Sequence, residues 1–207
     1  MMLYSMRSAF LAAAGWLMLM ACVADLHAAS EPRVTNLSGQ VQQLVPKGAR
    51  VVVLIFAATD CPISNRYIPE ITQLEREFAG SGVMFWWVFP NPGDTAAVIR
   101  KHEMEFSLHM PTLVDARQEL VRMAHVGVTP EAAVFAVDGA KLREVYHGRI
   151  DDRYIAFGQQ RPAATRHELA DAVKALLADK PVAAATGGPV GCAIVPAVAT
   201  QGVPLQP

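Results

Sequence analysis

An unbroken apolar segment that leads into a cysteine and then into an amphipathic helix constrains this fold most. Residues 51–58 are apolar throughout and rich in β-branched side chains, which is typical of a strand buried on both faces. From residue 63 to residue 78, apolar side chains recur at helical spacing with charged residues between them. Cys61 and Pro62 therefore stand where a buried strand passes into a helix, and proline is favoured at the first helical position.

This position favours a reactive thiolate at Cys61. A sulfur at a helix N-terminus faces unpaired N–H groups and the positive end of the helix dipole. Both stabilise the thiolate and lower the pKa below the value of about 8.5 of a free cysteine. A free cysteine is often only a small buried packing residue, but the strand-to-helix position favours a nucleophilic redox role for Cys61.

The remaining patterns predict an α/β domain. The apolar strand, the helix and a second apolar strand at 83–89 form a parallel βαβ unit. Further along, the patterns predict helices at 95–106 and 118–125, a short strand at 111–115, hairpin strands at 132–137 and 142–147, and a last helix opened by a capping box at Thr165–Glu168. Trp86 and Trp87 alternate faces of the second strand and are expected to pack in the core.

The segment from Phe56 to Pro69, with Cys-Pro-Ile-Ser at its centre, resembles the active-site segment of thioredoxin-fold proteins. It is most similar to exported redoxins related to TlpA-type thiol-disulfide oxidoreductases and to peroxiredoxins. The resemblance covers residues 34–180 and implies a thioredoxin-like fold, with a central mixed β-sheet flanked by helices and a βα insertion of redoxin type. It also implies no cofactor and no metal.

Four residues around Cys61 are expected to support the site. Pro62 opens the helix, and Ser64 stands where the second cysteine of a Cys-x-x-Cys motif would be. The Ser64 hydroxyl can satisfy free N–H groups of the first turn, donate to the thiolate, or do both. Thr129-Pro130 stands in the slot that holds a cis-proline facing the active-site cysteine in the family resembled. Proline is the residue at which a cis bond costs least.

Cys192 is the candidate partner of Cys61. It lies in residues 181–207, which are dominated by Ala, Val, Gly and Pro and carry no charge. Such a tail is expected to be mobile or draped over the domain. Thiol–disulfide exchange needs a thiolate that can reach the sulfur it attacks. Cys192 is therefore either a resolving cysteine for Cys61, an idle thiol, or a site of an intermolecular disulfide.

Residues 1–29 have the pattern of an export signal, with Arg7 ahead of an apolar stretch at 9–24. Cleavage after Ala28 is one alternative. The other is a lipobox that ends before Cys22, which would make Cys22 the lipidated first residue of a membrane-anchored lipoprotein. Both place the domain in the periplasm or cell envelope, where disulfides form and persist.

Two other functions remain open from the sequence. Peroxiredoxins, which are antioxidant thiol peroxidases, carry Pro seven and Thr three residues before the cysteine. Those positions here hold Leu54 and Ala58, and Thr59 is one residue late. Thioredoxin-fold copper carriers similar to the SCO group have a second cysteine where this chain has Asn65, and the histidines lack ligand spacing. A binding or chaperone module that uses the fold as a docking surface, with or without copper, is also compatible with the sequence.

Composition excludes other classes. The net charge of −1 and the lack of a basic run exclude a nucleic-acid surface. The acidic pair Asp151-Asp152 is expected to lie in a solvated loop. The sequence therefore predicts a thiol-disulfide oxidoreductase whose partners are protein or small-molecule disulfides and thiols, together with an external reductant.

Overall fold

The computed structural model describes residues 32–139 and 141–197. The predicted export signal and Cys22 lie outside the described residues. In the part of the chain that is described, no helix combines the length and the apolar character that a membrane span needs.

A mixed sheet lies at the centre of the fold. In chain order the elements are β1 (Val51–Phe56), α1 (Pro62–Glu77), β2 (Val83–Phe89), α2 (Ala96–Phe106), β3 (Thr112–Val114), α3 (Glu119–Met123), β4 (Val128–Thr129), β5 (Glu131–Asp138), β6 (Lys141–Gly148), β7 (Tyr154–Ala156), β8 (Gln159–Gln160), α4 (Glu168–Leu177) and β9 (Cys192–Ala193). Strands β3, β2, β1, β5 and β6 form the central sheet in that order. The β1–β2 and β2–β3 pairs are parallel, whereas β5 is antiparallel to both β1 and β6. The predicted mixed α/β sheet is confirmed.

Both faces of the sheet are buried, as the apolar run of β1 predicts. Val53 and Ile55 lie on the face covered by α1, α2 and α4. Leu54 and Phe56 lie on the opposite face, which is covered by α3 and the segment before β1. Trp87 belongs to the first face and Trp86 to the second, where the indole N–H of Trp86 donates to Leu44 O at 3.0 Å.

The predicted solvated loop at Asp151-Asp152 is wrong. Both residues are buried, because each carboxylate is the acceptor for groups brought in from other elements. Asp151 accepts hydrogen bonds from the Tyr67 hydroxyl and from Arg153 N. Asp152 accepts from the backbone N–H and hydroxyl of Thr165, at 2.6 and 2.5 Å.

The predicted capping box is wrong for the same reason. Since the Thr165 side chain is bonded to Asp152, it caps no helix. Helix α4 begins at Glu168 instead, and its N-cap residue His167 makes no side-chain capping hydrogen bond. The Glu168 carboxylate is bonded to Arg149 and Thr186.

The described part of the C-terminal tail, residues 181–197, is draped over the domain. Val182, Ala185 and Val190 pack against the α1 face of the core, and Ile194 packs against the opposite core. Strand β9 pairs antiparallel with β4, which lies just before β5. The tail therefore passes beside the C-terminal end of β1, where α1 begins.

We predict that Ile71→Ala lowers the free energy of unfolding by about 2–5 kcal/mol, since truncating a large buried aliphatic side chain leaves a cavity. Ile71 is fully buried between α1 and the sheet. Met104→Ala is the control, because Met104 is 75% exposed on α2 and its truncation should change the free energy by no more than about 0.5 kcal/mol. Urea unfolding of both variants measures the difference. Equal values would show that α1 does not stabilise the fold through this face.

Candidate active site

Cys61 is the N-cap residue of α1. After β1 ends at Phe56, a short turn leads to Cys61, whose N–H donates to Ala58 O at 3.2 Å. Cys61 has extended backbone angles, with φ −82° and ψ 112°, and Pro62 follows as the first helical residue. The Cys61 carbonyl accepts the first helical bond, from Asn65 N at 3.1 Å. The predicted strand-to-helix position of Cys61 is therefore confirmed.

The Thr129–Pro130 segment faces the Cys61 sulfur. The peptide bond between the two residues is cis, as predicted. Thr129 is fully buried, and its carbonyl oxygen lies 3.0 Å from the Cys61 sulfur, from which it accepts a hydrogen bond when Cys61 is protonated. The chain brings these groups together across the sheet, since β1 and β5 are neighbours and Pro130 directly precedes β5.

Cys192 lies at the same place. Its Sγ is 2.6 Å from the Sγ of Cys61, although 131 positions separate the two residues in the sequence. Residue pairing between β4 and β9 sets Cys192 opposite Thr129. The Thr129 hydroxyl donates to Cys192 O at 3.4 Å, and Ile194 N donates to Gly127 O at 3.1 Å. A strand pairing thus supplies the second sulfur that the helix lacks.

The two thiols have opposite pKa shifts. Burial raises the pKa of Cys61, but a hydrogen bond from the Cys192 thiol, together with the N–H and hydroxyl of Ser64, outweighs it and leaves the Cys61 pKa below its ordinary value. Burial, the hydrogen bond to Cys61 and the negative charge that develops there raise the pKa of Cys192 to about 12. Cys61 is therefore the more acidic thiol of the pair, and Cys192 is the hydrogen-bond donor to its thiolate.

Ser64 belongs to the environment of the thiolate. Its side chain is buried, and its Oγ has no well-formed hydrogen bond within the described residues. The hydroxyl nevertheless lies near enough to the Cys61 sulfur to lower the Cys61 pKa. Of the two predicted roles for Ser64, stabilisation of the thiolate is the one this contact supports.

A buried polar network beneath the Cys61 turn was not predicted. Asp94 Oδ1 accepts hydrogen bonds from the backbone N–H and the hydroxyl of Thr59, at 3.1 and 2.5 Å. Asn65 donates to Thr59 O at 3.2 Å, and its Oδ1 lies 2.8 Å from His102 Nε2. Burial raises the pKa of Asp94 and lowers that of His102. The network holds the turn ahead of Cys61, and it engages the Thr59 hydroxyl and Asn65 away from the sulfur.

One cluster has the geometry of metal ligands. Atoms of Glu70, Asp151 and His167 lie within 4.8 Å of one another. The Arg153 guanidinium lies 3.5 Å from a Glu70 carboxylate oxygen and 3.8 Å from an Asp151 carboxylate oxygen. Its positive charge already pairs with both carboxylates, so the donor set fits an internal ion-pair network better than a cation site.

The family model described as the AhpC/TSA family matches residues 27–146, which is more than half of the 207-residue chain. The chain belongs to the AhpC/TSA family. The family and the observed sheet topology establish that this AhpC/TSA protein has a thioredoxin-like redoxin fold, and the family indicates a redox function of the oxidoreductase kind.

Solved structures from several bacteria match this chain. An uncharacterised conserved protein from Geobacillus kaustophilus is 27% identical, has a TM-score of 0.65, and the match covers 78% of this chain and 86% of that one. A hypothetical protein from Sinorhizobium meliloti 1021 is 24% identical and has a TM-score of 0.65. That match covers 78% of this chain and 88% of the Sinorhizobium protein. A secreted disulfide oxidoreductase from Mycobacterium tuberculosis is 18% identical and has a TM-score of 0.46. That match covers 71% of this chain and 94% of the Mycobacterium protein. A search of curated proteins finds no match.

We predict that iodoacetamide labels Cys61 of this AhpC/TSA protein with a pH midpoint below the value of about 8.5 of a free cysteine. The rate rises with pH because only the thiolate reacts, and the pKa of Cys61 is lowered. Cys192→Ala should raise the midpoint by on the order of one pH unit. The variant loses one hydrogen bond to the thiolate, and the free energy of such a bond corresponds to a pKa change of about one unit. Mass spectrometry of the Cys61 peptide gives the rates.

Cys192→Ser is the matched control, because a serine hydroxyl keeps a donor near the sulfur. Its midpoint should fall between those of the wild type and Cys192→Ala. A midpoint in Cys192→Ala equal to that of the wild type would contradict the role of the Cys192 thiol as donor.

Proposed function

We propose that this protein is a thiol-disulfide oxidoreductase in which Cys61 is the nucleophile and Cys192 resolves the mixed disulfide. The observation that carries this proposal is the 2.6 Å approach of the Cys192 sulfur to the Cys61 sulfur at the N-terminus of α1. A lowered pKa at one sulfur and a raised pKa at the other give the two cysteines different tasks.

In the first step the Cys61 thiolate attacks one sulfur of a partner's disulfide. A bond forms between Cys61 Sγ and that sulfur, the partner's S–S bond breaks, and the partner's other sulfur leaves as a thiolate. The leaving thiolate takes a proton from solvent, and Cys192 releases its own proton to solvent before the second step. The α1 N-terminus stabilises the attacking thiolate through unpaired N–H groups.

In the second step the Cys192 thiolate attacks the Cys61 sulfur of the mixed disulfide. A Cys61–Cys192 disulfide forms, and the partner's remaining sulfur leaves as a thiolate. The partner has then gained two electrons and the protein has lost two. Once Cys61 is bonded to the partner it carries no negative charge, so one cause of the raised Cys192 pKa is gone. Cys192 is therefore easier to deprotonate when it is needed.

An external dithiol reductant completes the cycle by reducing the Cys61–Cys192 disulfide. The same steps in reverse would oxidise a partner dithiol. We further propose that the protein acts in the periplasm or cell envelope, because residues 1–29 have the pattern of an export signal and disulfide exchange suits an oxidising compartment.

Two observations disfavour the alternative functions of a thiol peroxidase and a copper carrier. The position three residues before Cys61 holds Ala58, and the Thr59 hydroxyl is bonded to Asp94, so neither residue offers a hydroxyl to a peroxide at Cys61. Copper binding would need a third ligand or a second local cysteine. Within the described residues, no cluster of three candidate ligands includes Cys61.

Reduction of insulin disulfides in the presence of dithiothreitol tests the proposal. Wild type should be active, Cys61→Ser inactive, and Cys192→Ser slower by about tenfold while it accumulates a mixed disulfide on Cys61, since the resolving thiol is missing. Non-reducing mass spectrometry identifies the trapped species. The outcome that would overturn the resolving role is full activity of Cys192→Ser with no trapped intermediate.

Peroxide consumption is the second readout of the same three variants. Rapid consumption that depends on Cys61 but leaves insulin intact would favour a thiol peroxidase. Wild type with slow peroxide consumption and rapid insulin reduction supports the oxidoreductase.

A further inference from the structure

The chain's own tail covers the Cys61 sulfur. Cys61 is fully buried at the N-terminus of α1, past the C-terminal end of β1. The atom 2.6 Å from its sulfur is Cys192 Sγ, on strand β9. A partner's disulfide needs to reach the same sulfur from the same side. The tail and the partner therefore compete for one place.

Backbone pairing holds the tail in that place. Val128 lies opposite Ala193 and Thr129 opposite Cys192 in the antiparallel β4–β9 pair. The pair is extended by the hydrogen bond from Ile194 N to Gly127 O at 3.1 Å. Backbone hydrogen bonds of this kind are made by any extended segment, so the β4 edge can accept a strand from another protein once β9 has left it.

Gly191 packs so closely against the Thr129 backbone that no side chain fits at residue 191. A Cβ added at Gly191 would lie 2.2 Å from Thr129 O and 2.6 Å from Thr129 C, which are backbone atoms. Glycine is therefore required immediately before Cys192 for this docked position. Two residues after the cysteine, Ile194 packs against the core formed with α3.

The tail is anchored independently upstream of this strand. Thr186 donates from its N–H and its hydroxyl to Glu168 Oε1, at 3.1 and 2.6 Å, and its hydroxyl also accepts from Arg149. Downstream, Asn91 and Gln118 hold the backbone of Val195 through bonds of 2.9 and 2.6 Å. Loss of the bonds after residue 190 would release Cys192 while Thr186 keeps the tail beside the site.

We propose that residues 191–194 are an internal competitor at the edge formed by residues 127–130, so that an extended, cysteine-containing segment of a partner protein reaches Cys61 only by displacing them. The tail defines the segment that fits: a glycine directly before the cysteine and a branched aliphatic residue two positions after it. That the bound segment is a disulfide substrate rests on the proposed function, whereas displacement of the tail is measured without turnover.

Gly191→Ala in the full, reduced chain tests the competition, with Gly188→Ala as the matched control. The new Cβ at residue 191 collides with Thr129, whereas a Cβ at residue 188 meets nothing within 4 Å. Iodoacetamide labelling of Cys61 should be at least tenfold faster in Gly191→Ala and should remain at the wild-type rate in Gly188→Ala. Rates are compared at a pH where labelling has reached its plateau in every protein, so that the fraction of thiolate is equal. A rise of one unit in the Cys61 pKa would increase thiolate reactivity by only about threefold, so a tenfold increase reports accessibility.

Ile194→Pro is a second variant for the same measurement. Proline removes the N–H that bonds to Gly127 O and also the Ile194 side chain that packs against the core with α3, so β9 loses two of its anchors. Faster Cys61 labelling in both Gly191→Ala and Ile194→Pro supports the proposal. Wild-type labelling rates in both variants, with thermal unfolding showing that they are folded, would overturn it.

A fluorescent peptide of the tail sequence 189–194, with serine replacing cysteine, tests the vacated edge. It should bind reduced Gly191→Ala at least tenfold more tightly than the wild type, and the same peptide with alanine in place of its glycine should lose that binding. Absence of peptide binding to Gly191→Ala would overturn the strand-binding surface. If labelling and peptide binding behave as expected but insulin is not reduced, the proposed function fails while the tail's competition stands.

Discussion

The antiparallel pairing of Thr129 with Cys192 is the interaction on which the site depends. It sets the Cys192 sulfur against Cys61, and with it a hydrogen bond that lowers the Cys61 pKa. Cys61 is fully buried, and Cys192 packs against the same core cluster. Without this pairing, Cys61 would keep only the α1 N-terminus and Ser64 as stabilising groups. A few backbone contacts of the tail thus influence both the pKa of Cys61 and the cover over its sulfur.

The fold could be predicted from the sequence because its main signals are local. The strand at 83–89 has the predicted bounds, and α2 begins after Thr95, whose hydroxyl caps it. Apolar runs that are buried on both faces, and helices with one apolar stripe, identify themselves within a few residues. The position of Cys61 is such a local signal, since strand, cysteine and proline are adjacent.

What could not be predicted depends on contacts between distant segments. Asp151 and Asp152 look like loop residues, but Tyr67 and Thr165 reach them through the fold and make their burial favourable. Thr165 is diverted from a capping role by the same contact. The Asp94 network under the Cys61 turn joins segments that no spacing rule connects. The tail has no periodicity, so its sequence alone left a mobile and a docked state equally open.

In the proposed function, the second cysteine lies in the tail and not in α1. This position couples delivery of the resolving thiol to release of the partner, two events that a Cys-x-x-Cys helix keeps separate. A resolving cysteine within the helix is always beside the nucleophile, whatever the partner does. Cys192 reaches Cys61 only when β9 pairs with β4, which is the edge that the partner's segment would occupy. Return of the tail would therefore deliver the resolving thiol and expel the partner in one movement. Ser64, in place of a second helix cysteine, leaves this movement as the one route to resolution within the described residues.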